Sequence, residues 1–202
     1  MKCRVLFFPV LLMMFTPMSL AGSLLTFDNL GNVAQIPNGY GDLTWSNFFS
    51  LDSTTYSPNS GYVHAVVSLK NIAYNANAAP ATISSANPFD LTSAYFTAAW
   101  NDGLTIVATG YRGGLQVASK TFLVNSVTPT LEVFNFSGID TVNFMSFGGT
   151  NHGYNGGGTH FAMDNLLING NTNVVPEPST FLMSGIAVVA GLGARARRRY
   201  AA

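Results

Sequence analysis

Two short stretches near the ends of the chain share one pattern: Thr26-Phe27-Asp28-Asn29-Leu30 and Ala162-Met163-Asp164-Asn165-Leu166. Each sets one carboxylate beside apolar residues, where an unpaired charge is costly. Hard oxygen ligands from Asp28, Asp164 and Asn165, joined by loop carbonyls, would suit a structural Ca²⁺. The competing reading is that the aspartates cap turns through local backbone hydrogen bonds.

A second group is aromatic. Tyr40, Trp45, Phe48, Phe49, Tyr56 and Tyr62 cluster in loop-like sequence, and Trp100, Tyr111 and Tyr154 follow later. Trp and Tyr combine an apolar ring with a polar tip, so exposed ones can stack on sugar rings. Trp45, Trp100, Tyr111 and Tyr154 are the candidate glycan contacts. Core packing is the competing use, and Trp45 and Phe48 are expected inside.

A third is the Gly/Asn-rich run 148–160, which contains His152 and His160. Eight-residue spacing matches no standard zinc pattern. The run reads as a solvated hairpin between the last two strands. No Gly-Lys-Ser/Thr follows it, so it is no phosphate loop. Catalytic signatures are missing: there is no Gly-x-Ser-x-Gly elbow and no His-Glu-x-x-His. The eight acids of the central region leave a glycosidase pair open, but none sits in a suggestive motif. Asn135-Phe136-Ser137 is a sequon inside an expected strand, and it reads as accidental.

These groups lie between two address segments. Lys2 and Arg4, the apolar run Val5 to Met18, and Ser19-Leu20-Ala21 form a signal peptide over residues 1–21, an N-terminal signal helix with cleavage after Ala21. Cys3 leaves with it, so the mature domain has no thiol for a disulfide, a metal or catalysis. At the other end, Val175, Pro176, Glu177 and Pro178 precede an uncharged apolar run. A single transmembrane helix is expected over about 179–194. At ~1.5 Å per residue the uncharged stretch from Pro178 reaches roughly 26 Å, just short of a ~30 Å hydrocarbon core. Arg195, Arg197, Arg198 and Arg199 then act as the stop-transfer and keep the C-terminus cytoplasmic.

The Pro-Glu-Pro, the apolar run and the arginine cluster together resemble the PEP-CTERM sorting signal of Gram-negative bacteria. That resemblance implies an exported protein held for a time in the inner membrane. It further implies cleavage near Pro-Glu-Pro by an exosortase, and delivery to the cell surface or exopolysaccharide matrix.

Residues 22–174 remain. Three cations, Lys70, Arg112 and Lys120, stand against eight acids, a net charge of −5. Such a surface is a poor partner for nucleic acid. No helical periodicity runs through this region, and short β-rich runs recur at turn signals. Strands are expected at Leu24–Phe27, Leu43–Ser46, Tyr62–Leu69, Ala81–Ser84, Ala94–Trp100, Leu104–Gly110, Leu115–Val124, Leu131–Phe136, Thr141–Phe147 and His160–Ile168. Asn101-Asp102-Gly103 and Tyr111-Arg112-Gly113-Gly114 would join three of these as a meander. The fold class that follows is all-β: an antiparallel β-sandwich, jelly-roll-like, over residues 22–168, with a small β-barrel as the alternative. A polar linker, 169–174, leads to the sorting signal.

Ile36-Pro37-Asn38-Gly39-Tyr40-Gly41-Asp42-Leu43-Thr44-Trp45, Ala98-Ala99-Trp100-Asn101-Asp102-Gly103 and Phe161-Ala162-Met163-Asp164-Asn165-Leu166 resemble a family of exported β-sandwich proteins. The family's fold is similar to carbohydrate-binding jelly rolls, some with a structural calcium at the terminal strands. Three functions compete. The first is a non-catalytic module that binds exopolysaccharide or another glycan. The second is a polysaccharide hydrolase, which needs a cleft with two carboxylates. The third is a structural matrix protein, which would need a flat Thr-rich face. No Thr-x-Thr ladder is visible.

Overall fold

The structure, a computed structural model, describes residues 22–56 and 59–169. The signal segment, the sorting motif Val175 to Pro178, the expected transmembrane span and the arginines 195 and 197–199 lie outside the described residues. Among the described residues every regular element is a strand or a single 3-10 turn, and no helix is long and apolar enough to cross a membrane.

Period-two alternation makes the strands. In Leu104–Arg112, Leu104, Ile106 and Ala108 are buried while Thr105, Val107 and Thr109 are partly exposed. That is the pattern of a strand with one covered face. Two strands are far longer than the rest: Ala81–Ala98 (β6) and Thr130–Phe147 (β10), each of 18 residues. They pair antiparallel from Thr130 facing Phe96 to Phe144 facing Ala81, with three register shifts. Asn135 and Gly138 take positive φ at those shifts, and Pro88 marks the matching stretch of β6. Bulges bend and twist a pair of strands, so β6 and β10 carry the sheet through two layers.

The first layer contains β2 (Ala34–Gln35), β4 (Phe48–Asp52), β5 (Asn71–Asn75), β12 (Phe161–Ile168), the second half of β6 and the first half of β10. β1 (Ser23–Leu25) pairs with β12, Ser23 facing Ile168. The second layer runs β3 (Thr44–Ser46), the first half of β6, the second half of β10, β8 (Leu104–Arg112) and β9 (Leu115–Val124). A separate two-stranded ribbon joins β7 (Asn101–Asp102) to β11 (Thr150–Asn151). Aromatic rings from both layers meet between them. Phe48 of β4 lies 6.1 Å from Phe144 of β10, and Phe96 of β6 lies 5.0 Å from Phe122 of β9. Edge-to-face contacts of this kind add ~0.5–1.5 kcal/mol each beyond burial.

The sheet corrects several strand expectations. Ala81–Ser84 and Ala94–Trp100 are the two ends of one strand, as are Leu131–Phe136 and Thr141–Phe147. The meander is only half present. β8 and β9 form the expected hairpin through Gly113 and Gly114, both at positive φ. β6 and β8 do not pair, because β10 lies between them. The turn at Gly103 carries the chain from one layer to the other. Run 148–160 likewise crosses between layers and is not a hairpin, since β6 separates β10 from β12. Tyr62–Leu69 is no strand: Gly61–His64 is a 3-10 turn, and an irregular loop follows.

That segment covers the outer face of the first layer. Tyr62, Ala65 and Trp100 pack there on Leu51, Ile72 and Ala162, a second and smaller core. The outer face of the second layer has no such cover. One rung across its five strands is Thr44, Ser84, Thr141, Tyr111 and Gln116. A rung of mixed hydroxyl and amide side chains therefore crosses this face. Its members come from five strands, so no single stretch spells it out.

Candidate functional site

A groove of about 480 Å³ opens beside the second core. Phe49 and Leu51 of β4 and Tyr74 of β5 line its floor. They point outward because their neighbours Phe48 and Ala73 point into the main core. Phe49 faces Tyr74 across the strand pair, ring to ring at 6.1 Å. The next segment adds Tyr56 and Tyr62. The Gly61 N–H donates to the Ala99 carbonyl at 2.8 Å, which presses the turn against the end of β6. Tyr62 then packs edge-on against Tyr56 at 5.2 Å, Tyr74 at 5.5 Å and Trp100 at 5.8 Å. Asn77, Gly157 and His160 form the rest of the rim.

Among the described residues no Asp, Glu, Lys or Arg lines this groove. Burial raises the Tyr62 and Tyr74 phenols above their ordinary range, and nearby phenols add to the effect. Both stay neutral at physiological pH. Among the described residues the hydroxyls of Tyr56, Tyr62 and Tyr74 have no protein hydrogen-bond partner. His160 is held down by burial and its Nδ1 is buried without a partner, so the ring is neutral too. The groove thus offers apolar ring surface and uncharged polar groups with free hydrogen-bonding capacity.

Trp100 is 7% exposed and stands between Tyr62 and the 148–160 run. Gly156 lies so close that a Cβ there would meet the indole ring at 2.2 Å. A second tie holds this run: His152 Nδ1 sits 2.5 Å from Asp102 Oδ2. Asp102 Oδ1 also accepts from the Ser126 amide and hydroxyl. The imidazole, then the Ser126 donors, hold Asp102 at about 2.

The other sequence candidates fall elsewhere. Trp45 is core: it is 3% exposed, its indole N–H donates to the Tyr40 carbonyl at 2.9 Å, and Phe48 meets it edge-on. It cannot stack on a ligand. Tyr111 lies on the outer face of the second layer. Tyr154 packs beside Trp100's cluster and over His152, 4.7 Å between rings, outside the groove lining. Tyr74 was missed, because Asn71–Asn75 is too short for its alternation to stand out.

Asp28 and Asp164 do converge, on the loop after the 3-10 turn. Asp164 Oδ2 accepts from the amides of Val67 (2.7 Å) and Ser68 (2.8 Å), and Oδ1 from the Asn165 amide (2.7 Å). Asp28 Oδ1 accepts from Lys70 (2.8 Å) and Asn71 (2.9 Å), and Oδ2 from Leu69 (3.3 Å). Five successive amides, 67–71, are shared between two carboxylates. The positive ends of N–H dipoles surround these oxygens, which is the setting of an anion and not of a cation. The turn-capping reading accounts for these contacts, since the amides occupy much of the accepting capacity of both carboxylates. Among the described residues no group of three or more His, Cys, Asp or Glu could hold a metal ion. The aspartates fix the loop that leads away from Tyr62.

Comparison with known proteins adds one definite result. A family model for the PEP-CTERM protein-sorting motif matches residues 174–199, so the chain carries that motif. None of the curated proteins matches the chain. A solved structure of TmCBM61 in complex with β-1,4-galactotriose overlaps 68% of this chain and 97% of its own, with 8% identity and a TM-score of 0.37. An overlap this loose carries no argument about fold or ligand.

Proposed function

We propose that this chain is an exported surface or matrix protein, processed by an exosortase, whose jelly-roll-like β-sandwich binds a neutral glycan in the aromatic groove without cleaving it. One observation carries the glycan reading. The groove gathers five aromatic side chains, three of them phenols without a hydrogen-bond partner among the described residues, and no charged residue is among the described residues that line it. Sugar rings present apolar C–H faces and many neutral hydroxyls. Rings cover the first, and phenols can donate to and accept from the second. An ionic ligand would leave its own charge unpaired in such a site. Hydrolysis needs two carboxylates roughly 5–9.5 Å apart across the scissile bond, and the groove supplies none.

The sorting motif supports the destination. In this reading the domain lies outside the inner membrane, held by the C-terminal segment until an exosortase acts. The surface-associated protein is therefore expected to be lighter than the precursor by both address segments. Intact mass spectrometry checks this, and a surface form that keeps Arg195 to Arg199 would contradict it.

For the groove, the full chain is applied to an array of neutral and charged glycans, followed by a reducing-sugar assay on every hit. Binding to neutral glycans is expected, at least tenfold weaker in Tyr74→Ala, with no sugar released. Hot-spot aromatics at the centre of an interface commonly carry 2 kcal/mol or more, which sets that scale. Binding confined to charged glycans, or a Tyr74→Ala variant with full affinity, defeats the groove reading. Released sugar would make the protein a hydrolase.

A further inference from the structure

We infer that the uncovered outer face of the second layer is a second carbohydrate-binding surface, one that takes the flat face of an assembled neutral polysaccharide. It rests on the glycan reading for its ligand class, and it uses different residues. The rung Ser46, Thr82, Asn143, Thr109 and Ser119 runs straight across five strands beside the rung already described. The Asn143 amide donates to Thr82 Oγ1 at 2.9 Å, which shows that these side chains share one side of the sheet. Two further rungs add Met145 (44% exposed), Phe147 (47%) and Leu123 (64%) at one end. None of the four rungs contains a charged residue, in a domain with eleven.

Size and charge select the occupant. Two rungs across five strands and two across three, with strands ~4.8 Å and rungs ~6.7 Å apart, give a face of roughly 500 Å². A second copy of this chain would then bury well under the ~800 Å² per partner of a standard stable dimer. A nucleic acid or an acidic polymer would find no cation there. Chains of a neutral polysaccharide laid side by side present the matching surface, with rows of hydroxyls and strips of C–H. A single soluble chain would cover only part of it, whereas the groove is sized for one. The two surfaces point away from the shared core in opposite directions, so one molecule can tie a free chain to an assembled one.

The test uses the full chain and microcrystalline cellulose as the probe, with adsorption read by depletion from solution. The wild type and Tyr74→Ala are expected to adsorb equally, because the groove is not involved. Thr109→Glu combined with Ser119→Glu, both on the solvent side, is expected to reduce adsorption at least tenfold while array binding through the groove persists. That persistence also shows that the variant is folded. Equal adsorption by the face variant and the wild type overturns the proposal, as does adsorption lost in Tyr74→Ala alone. Failure of the groove reading would show separately, as loss of neutral-glycan binding on the array while cellulose adsorption and its response to the face variant are unchanged. Concentration-dependent self-association abolished by the same two substitutions, without cellulose adsorption, would assign the face to a second copy and also overturn it.

Discussion

Replacing Asp164 with alanine is expected to destabilise the domain by roughly 3–5 kcal/mol, the range for breaking a buried charge from its partners. Asp164 is fully buried, and its two oxygens gather three amides and the Ser68 hydroxyl. Alanine leaves those donors without an acceptor in a dry place, and each unsatisfied group costs ~1–3 kcal/mol. A domain of this size has ~5–15 kcal/mol in total. Thermal unfolding followed by circular dichroism measures the effect, and a melting temperature within a degree or two of wild type would sink the clamp. Acid adds a second readout. For Asp28 burial acts upward, but the amides of Asn71, Lys70 and Leu69 outweigh it and hold the carboxyl at about 2. A carboxylate held down stabilises the fold above its unfolded value near ~3.9. That contribution is lost as pH falls through about 2. Asp164 has the opposite sign: burial outweighs its amides and raises it, so its protonation opposes the acid loss. The wild type is expected to weaken between pH ~4 and ~2, and Asp28→Asn to show a flatter profile over that window.

Gly61→Ala is expected to be the most damaging single methyl in the chain, at about 3 kcal/mol or more, the upper end of overpacking. A Cβ at Gly61 would stand 1.8 Å from the Ala98 carbonyl oxygen and 3.0 Å from that of Ser126. Both obstacles are backbone, fixed in place by the sheet and by the Ala98 amide's bond to Asn125. The turn itself must lift. Tyr62 goes with it, and the contacts to Tyr56, Tyr74 and Trp100 open together. Glycan affinity and stability are therefore expected to fall in parallel. A variant that keeps wild-type affinity and melting temperature would show that the turn does not set the groove wall. Gly61→Ser should fare no better, since the collision is at Cβ.

Much of the fold was legible because alternation is local. Leu104–Gly110 and Leu115–Val124 show their period and their Gly-Gly turn within one short stretch, and both strands stand where expected. The long strands were harder. Pro88 and the polar residues around it look like an interruption, yet β6 runs through them because bulges absorb the mismatch with β10. Asp28 and Asp164 stand out as a pair for a sound reason, buried charge, but most of their partners are backbone amides some 41 to 97 residues away, which no side-chain pattern records. The groove was half legible. Trp100, Tyr56 and Tyr62 were named as aromatics, while Trp45 shared their chemistry and went to the core. The layer that each strand joins decides that difference, and this depends on pairings far apart in the chain.

The pairing of Ser23 with Ile168 has a mechanical meaning. Chain entering and chain leaving the domain meet at one pole, so a pull through residue 169 acts along β12. That strand is bonded on one flank to β6 and on the other to β5 and β1. Force along such a strand loads many ladder bonds at once in shear, whereas force across an edge strand opens them one after another. A pull at this end thus acts on the strand best placed to resist being drawn out. A load applied beyond Ile168 would be borne by that strand, with the outer faces of both layers free to the sides.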